Sequence, residues 1–120
     1  MNLINLTNHP YSLWSEEQKE CAEKGFGKVV DYPFPNVEPM KSEKDISFLA
    51  DNIFEDVINK FGKSIAVHIM GEFTLCFALI KRFQKEGIIC VASCTERNVT
   101  INNKGEKITR FEFKKFRQYE

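Results

Sequence analysis

The stretch from Ser64 to Arg97 limits the possible folds of this chain more than any other. Ser64-Ile65-Ala66-Val67-His68-Ile69-Met70 reads as a buried strand, and Gly71-Glu72 lead into a helix predicted over about Phe73 to Glu86. Gly87 stops the helix, and a second apolar strand follows over Ile88 to Ser93. Strand, helix and strand with short joints make a βαβ unit, which closes right-handed onto a parallel sheet. The helix rests on spacing: Phe73, Cys76, Phe77, Ile80 and Phe83 form one apolar stripe at i, i+3, i+4, i+7 and i+10. Lys81, Arg82, Gln84, Lys85 and Glu86 lie off the stripe, and the cations among them suit the negative end of the helix dipole. Neither strand alternates cleanly with polar residues, as expected when helices cover both faces of a sheet.

The rest of the chain extends the same pattern. Leu3-Ile4-Asn5-Leu6 is a short apolar strand ending in Thr7-Asn8-His9-Pro10, where the proline cannot donate to a ladder. Ser15 followed by Glu16, Glu17 and Gln18 has a capping-box pattern, so a helix is expected to about Lys24, ending at Gly25. Lys28 to Tyr32 reads as a second strand closed by Pro33 and Pro35. Ser42 or Asp45 caps a further helix through about Phe61, with Ile46, Leu49, Ile53, Phe54, Val57, Ile58 and Phe61 along one face and Gly62 at its end. Val99 to Gln118 reads as a hairpin around Asn102-Asn103-Lys104-Gly105, with Phe111 and Phe113 on one face. The order β-α-β-α-β-α-β-β-β implies one domain over residues 1–120. It is a three-layer α/β protein with a mostly parallel sheet, β1 and β3 as central neighbours, and a C-terminal β-hairpin.

Composition narrows the function. Seventeen Lys+Arg balance seventeen Asp+Glu, so no global basic surplus recruits duplex nucleic acid, and any anion must be held by a local pocket. Four cysteines show no CxxC pair, and the first residues lack a leader pattern, which predicts a reduced, cytoplasmic setting. No apolar run approaches the ~18–20 residues of a membrane span, so no membrane partner is expected. The spacing of Cys90 and Cys94 fits no metal site, and Cys76 to Arg82 matches a phosphatase Cys-x5-Arg only in spacing, mid-helix and without a glycine loop. GxGxxG and P-loop fingerprints are both missing, so no cofactor and no metal is expected.

Ligands of open α/β sheets bind beyond the carboxyl ends of the strands, where connections diverge to opposite faces. Three polar segments are expected to meet there: Thr7-Asn8-His9, Gly71-Glu72-Phe73-Thr74 and Thr95-Glu96-Arg97. The helix start offers backbone N–H groups and a positive dipole end, and Gly71 permits close approach. Thr74 adds a hydroxyl, and Arg97 could pair with a phosphate or carboxylate. Each has a plainer reading. Gly71 and Glu72 also fit an ordinary helix start, Thr95 a turn residue, and Arg97 a surface partner of Glu72 or Glu96. His9 fits either a general acid or base near neutral pH or a loop residue hydrogen-bonded to backbone. His68, between Val67 and Ile69, reads as a satisfied core histidine.

The strand ending in Asn-Leu-Thr-Asn-His-Pro and the Gly-Glu-Phe-Thr that opens the helix after β3 resemble the small CRISPR-associated Rossmann-fold (CARF-like) proteins. That resemblance implies a Rossmann-like fold and a cyclic oligoadenylate or related nucleotide ligand held across a homodimer. It also implies, in some members, metal-independent ring cleavage by the ligand's own 2′-hydroxyl. The positions matching the family's ligand loops are Thr7, Asn8 and His9, with Gly71, Glu72 and Thr74. Thr95 joins them as a contact from the loop after β4, and His9 and Arg97 are the catalytic candidates. The β3 loop carries no lysine or arginine, a departure from a tight phosphate site. The alternative from another class is a non-enzymatic dimeric interaction protein using the hairpin phenylalanines Phe111, Phe113 and Phe116.

Overall fold

A computed structural model describes residues 1–120. The chain forms β1 (Asn2–Leu6), α1 (Glu16–Gly25), β2 (Lys28–Asp31), α2 (Glu43–Phe61), β3 (Ile65–Ile69), α3 (Phe73–Lys85), β4 (Ile89–Ile101) and β5 (Lys107–Gln118), with a single 3-10 turn at Tyr11–Leu13. The strands make one five-stranded mixed sheet in the order β2-β1-β3-β4-β5. Pairings β1/β2, β1/β3 and β3/β4 are parallel, and β4/β5 is antiparallel. This is a mixed α/β architecture with β1 and β3 adjacent at its centre.

Local chemistry sets the helix bounds. The Ser15 hydroxyl accepts from Gln18 N–H, and Ser42 and Asp45 form a reciprocal capping box at the start of α2. Gly62 closes α2 at φ 75°, in the left-handed region that glycine enters without a Cβ penalty. Alternate residues of a strand point to opposite faces, and the central strands supply both sides of the core. Ile4, Leu6, Val67, Ile69 and Cys90 meet α2 and α3 through Ala50, Ile53, Val57, Leu75, Leu79 and Phe83. On the other face Leu3, Ala66 and Val91 pack with Trp14 and Ala22 of the α1 side. Helices therefore lie on both faces, α1 on one and α2 with α3 on the other.

Three expectations are corrected. First, β4 does not end at Ser93. It runs on through Thr95-Glu96-Arg97 to Ile101, and the expected loop is a strand paired with β5 (Thr95↔Phe113, Arg97↔Phe111) beyond an irregularity at Cys94/Thr95. The polar side chains there belong to a ribbon exposed to water, so polarity marked exposure rather than a loop. Second, the buried stripe of α3 is Leu75, Cys76, Leu79, Ile80 and Phe83, while Phe73 and Phe77 are 89% and 65% exposed. The first two turns are apolar nearly all round, so the period alone allowed two stripes. Third, the hairpin phenylalanines do not form one aromatic face. Phe113 is buried, Phe116 packs against Trp14, Phe26 and His68, and Phe111 alone of the three is exposed, at 69%. The ribbon outruns the helix that covers its base. No helix is long and apolar enough to cross a membrane.

Candidate functional site at the carboxyl edge

The connection from β1 leads through α1 to one side of the sheet, and the connection from β3 leads through α3 to the other. The gap between these two strands is a topological switch point, where an open sheet leaves a crevice at its carboxyl edge. An open concavity of about 410 Å³ lies there, lined by Thr7, Asn8, His9, His68, Met70, Gly71 and Ser93. A second depression adjoins it through His9 and Ser93 and includes Thr95, Phe113 and the start of α1.

Behind the concavity is a network of polar groups. Asn5 is the one buried polar residue of its strand and is 1% exposed. Its amide nitrogen donates to the Asp31 carboxylate and to the His9 carbonyl, each at 2.9 Å. Its amide oxygen takes the Thr7 hydroxyl and faces Nδ1 of His68, again at 2.9 Å each. Asn5 thus fills its hydrogen-bonding capacity, as a buried amide must to offset its desolvation. The His9 carbonyl also accepts from Trp14 Nε1 at 2.9 Å, and His9 N–H donates to the Thr7 hydroxyl. The Thr7-Asn8-His9 turn is therefore pinned by its backbone, which leaves the Asn8 and His9 side chains exposed at the rim.

His68 is only half satisfied. Its ring is 2% exposed, between the edges of Trp14 and Phe116, and Nε2 is the only buried side-chain nitrogen or oxygen without a partner. Burial, with a smaller contribution from nearby His9, pushes its pKa down to about 4, so the imidazole is neutral at physiological pH. The expectation of a satisfied core histidine holds for one ring nitrogen and fails for the other.

The remaining sequence-predicted residues divide. Thr7, Asn8, His9 and Gly71 come together at the concavity, and Thr95 borders its neighbour. Glu72 and Thr74 face instead the groove beside α2 and α3, together with Lys41, Lys81 and Arg82. Nor is the start of α3 an open anion site. The Glu72 carboxylate accepts from Thr74 N–H at 2.7 Å and Leu75 N–H at 3.1 Å and also binds the Thr74 hydroxyl, which together hold its pKa below the usual range. Gly71 is required by packing rather than by ligand approach, because a Cβ there would lie 2.6 Å from the Phe34 ring. Arg97 is exposed on the ribbon opposite Phe111 and lines neither depression.

No lysine or arginine lines the concavity, so its polarity comes from hydroxyl, amide and imidazole groups. No three His, Cys, Asp or Glu side chains converge in a way that would hold a metal ion. Cys76 and Cys90 are buried, and desolvation raises their thiols to about 11 and about 12, which makes them core residues rather than nucleophiles. The sequence reading missed Asn5, Asp31 and Trp14. The available signal was a lone asparagine inside an apolar strand, which demands buried partners.

No curated protein matches the sequence. A family model, described as "Uncharacterized protein MJ1673 family", matches residues 1–117. With nearly its whole length inside that match, the chain belongs to the MJ1673 family.

Proposed function

We propose that this protein is a Rossmann-like, three-layer CARF-like receptor that binds a cyclic oligoadenylate, or a related nucleotide messenger of CRISPR-associated antiviral signalling, at the carboxyl edge between β1 and β3. The observation that carries the reading is the concavity itself, at the switch point and lined by donor and acceptor groups from both loops. Three parallel pairings and helices on both faces support the Rossmann-like description. At about 410 Å³ the concavity falls in the range of one small-molecule site, ~300–1,000 Å³. A ring of four nucleotides is larger than that, so two copies of the chain share one ring, each taking a nucleoside portion. With no cation in the concavity, the phosphates point outward, and Arg97 on the ribbon is the nearest arginine in sequence to the β4 part of the site.

Cleavage, where it follows binding, uses the ligand's own 2′-hydroxyl. The O2′–P bond forms, the P–O5′ bond breaks, and the proton lost from O2′ is matched by one gained at O5′. His9, exposed at the rim, is the side chain placed to carry that proton. Calorimetry of the native protein against cyclic tetra- and hexa-adenylate, with chromatography of the incubated mixture, tests the proposal. One ring bound per two chains is expected. Absence of heat with both rings would favour a second reading, an interaction protein docking through the apolar groove of Met70, Phe73, Phe77 and Tyr119.

A further inference from the structure

The orientation of Asn5 is fixed by what its amide nitrogen touches. The His9 carbonyl and the Asp31 carboxylate are both acceptors, so the nitrogen faces them and the amide oxygen faces His68 Nδ1. An amide oxygen only accepts, so Nδ1 carries the ring proton and Nε2 carries a lone pair. That lone pair is buried, and it is the single buried side-chain acceptor or donor with no partner in the molecule. His68 also lines the concavity, and Nε2, the ring nitrogen not turned to Asn5, is covered in the unliganded chain, so a ligand reaches it by displacing part of that cover.

We infer that Nε2 of His68 is the recognition point for a hydrogen-bond donor, a hydroxyl or an amine, on an uncharged part of the ligand. A phosphate oxygen would set lone pair against lone pair there, and no lysine or arginine in the concavity compensates. A ribose hydroxyl or the adenine amino group instead supplies the missing proton. The depressed pKa agrees, since a neutral ring accepts where an imidazolium cannot. This inference rests on the nucleotide reading and narrows it: His68 reads the nucleoside, and the phosphates lie elsewhere.

The test is nitrogen-15 NMR of the histidine side chains in the native protein, free and with saturating cyclic tetra-adenylate. In the free protein His68 is expected as the Nδ1–H tautomer, and the ligand is expected to shift its Nε2 resonance. Rings built from 2′-deoxyadenosine or from purine riboside, which lack the hydroxyl or the amine respectively, identify the donor. The one lacking it is expected to bind about 10–100-fold more weakly, the effect of stranding a buried acceptor. His68→Phe, which keeps a flat ring but removes both ring nitrogens, should bind that analogue and the parent ring equally. An Nε2–H tautomer, or an unmoved Nε2 resonance at saturation, overturns the inference while leaving the nucleotide reading intact. Failure of the parent ring to bind at all overturns both. The spectra of the native protein decide the matter even if the variant does not fold.

Discussion

Single residues at the carboxyl edge are held by specific neighbours, and His68 shows the consequence most directly. Burial lowers its pKa from the ordinary 6.5 to about 4, so between those values the unfolded chain takes up a proton that the folded chain excludes. Its contribution to stability is therefore complete above about pH 6.5, declines as pH falls toward 4, and changes no further below that. A shift of this size corresponds to about 3 kcal/mol. Urea unfolding at pH 7 and pH 4.5 is expected to show a loss approaching that value, and His68→Phe should flatten the difference. Gly71 is the second case. A methyl group 2.6 Å from Phe34 overpacks the core, so Gly71→Ala should lower stability by about 1–3 kcal/mol in thermal melts, with no ligand present. A variant as stable as the native protein would return Gly71 to a ligand role.

Elements show where the sequence was legible. The βαβ unit, the three helices and their stops were readable because apolar period, caps and glycines agree on one answer. At α3 they did not agree: Phe73-Thr-Leu-Cys-Phe-Ala-Leu-Ile is apolar around the helix, and packing into the core shared with α2 and the central strands chose Leu75 and Leu79 over Phe73 and Phe77. The loop expected at Thr95-Glu96-Arg97 was illegible for another reason, since a ribbon wet on both faces carries no core-facing period. The site was half legible. Thr7, Asn8, His9 and Gly71 follow from strand ends, but the partners of Asn5 come from β2, β3 and a loop, a convergence only the fold reveals. The helix start of α3 yields the element-scale prediction. Because Glu72 caps its own helix, Glu72→Ala should cost about 1 kcal/mol in urea unfolding and leave ligand affinity unchanged. Affinity for phosphate that rises on removing this carboxylate would mean that the helix start is an anion site after all.

For the whole molecule, the two faces of the sheet divide the labour. α2 and α3 bury the larger cluster, and the smaller α1 side carries the aromatic edges of Trp14 and Phe116 that enclose His68. The concavity opens between these halves, so ligand contacts should fall on the β1 and β3 loops and the adjoining part of β4. The groove of Lys41, Lys81 and Arg82 is the competing location, being the more cationic surface. Backbone amide NMR of the native protein titrated with cyclic tetra-adenylate separates the two. Shifts concentrated at Thr7, Asn8, His9, Gly71 and Ser93 are the predicted result. Shifts centred instead on Lys41, Lys81 and Arg82, or none at saturating ligand, would contradict a nucleotide site at the carboxyl edge.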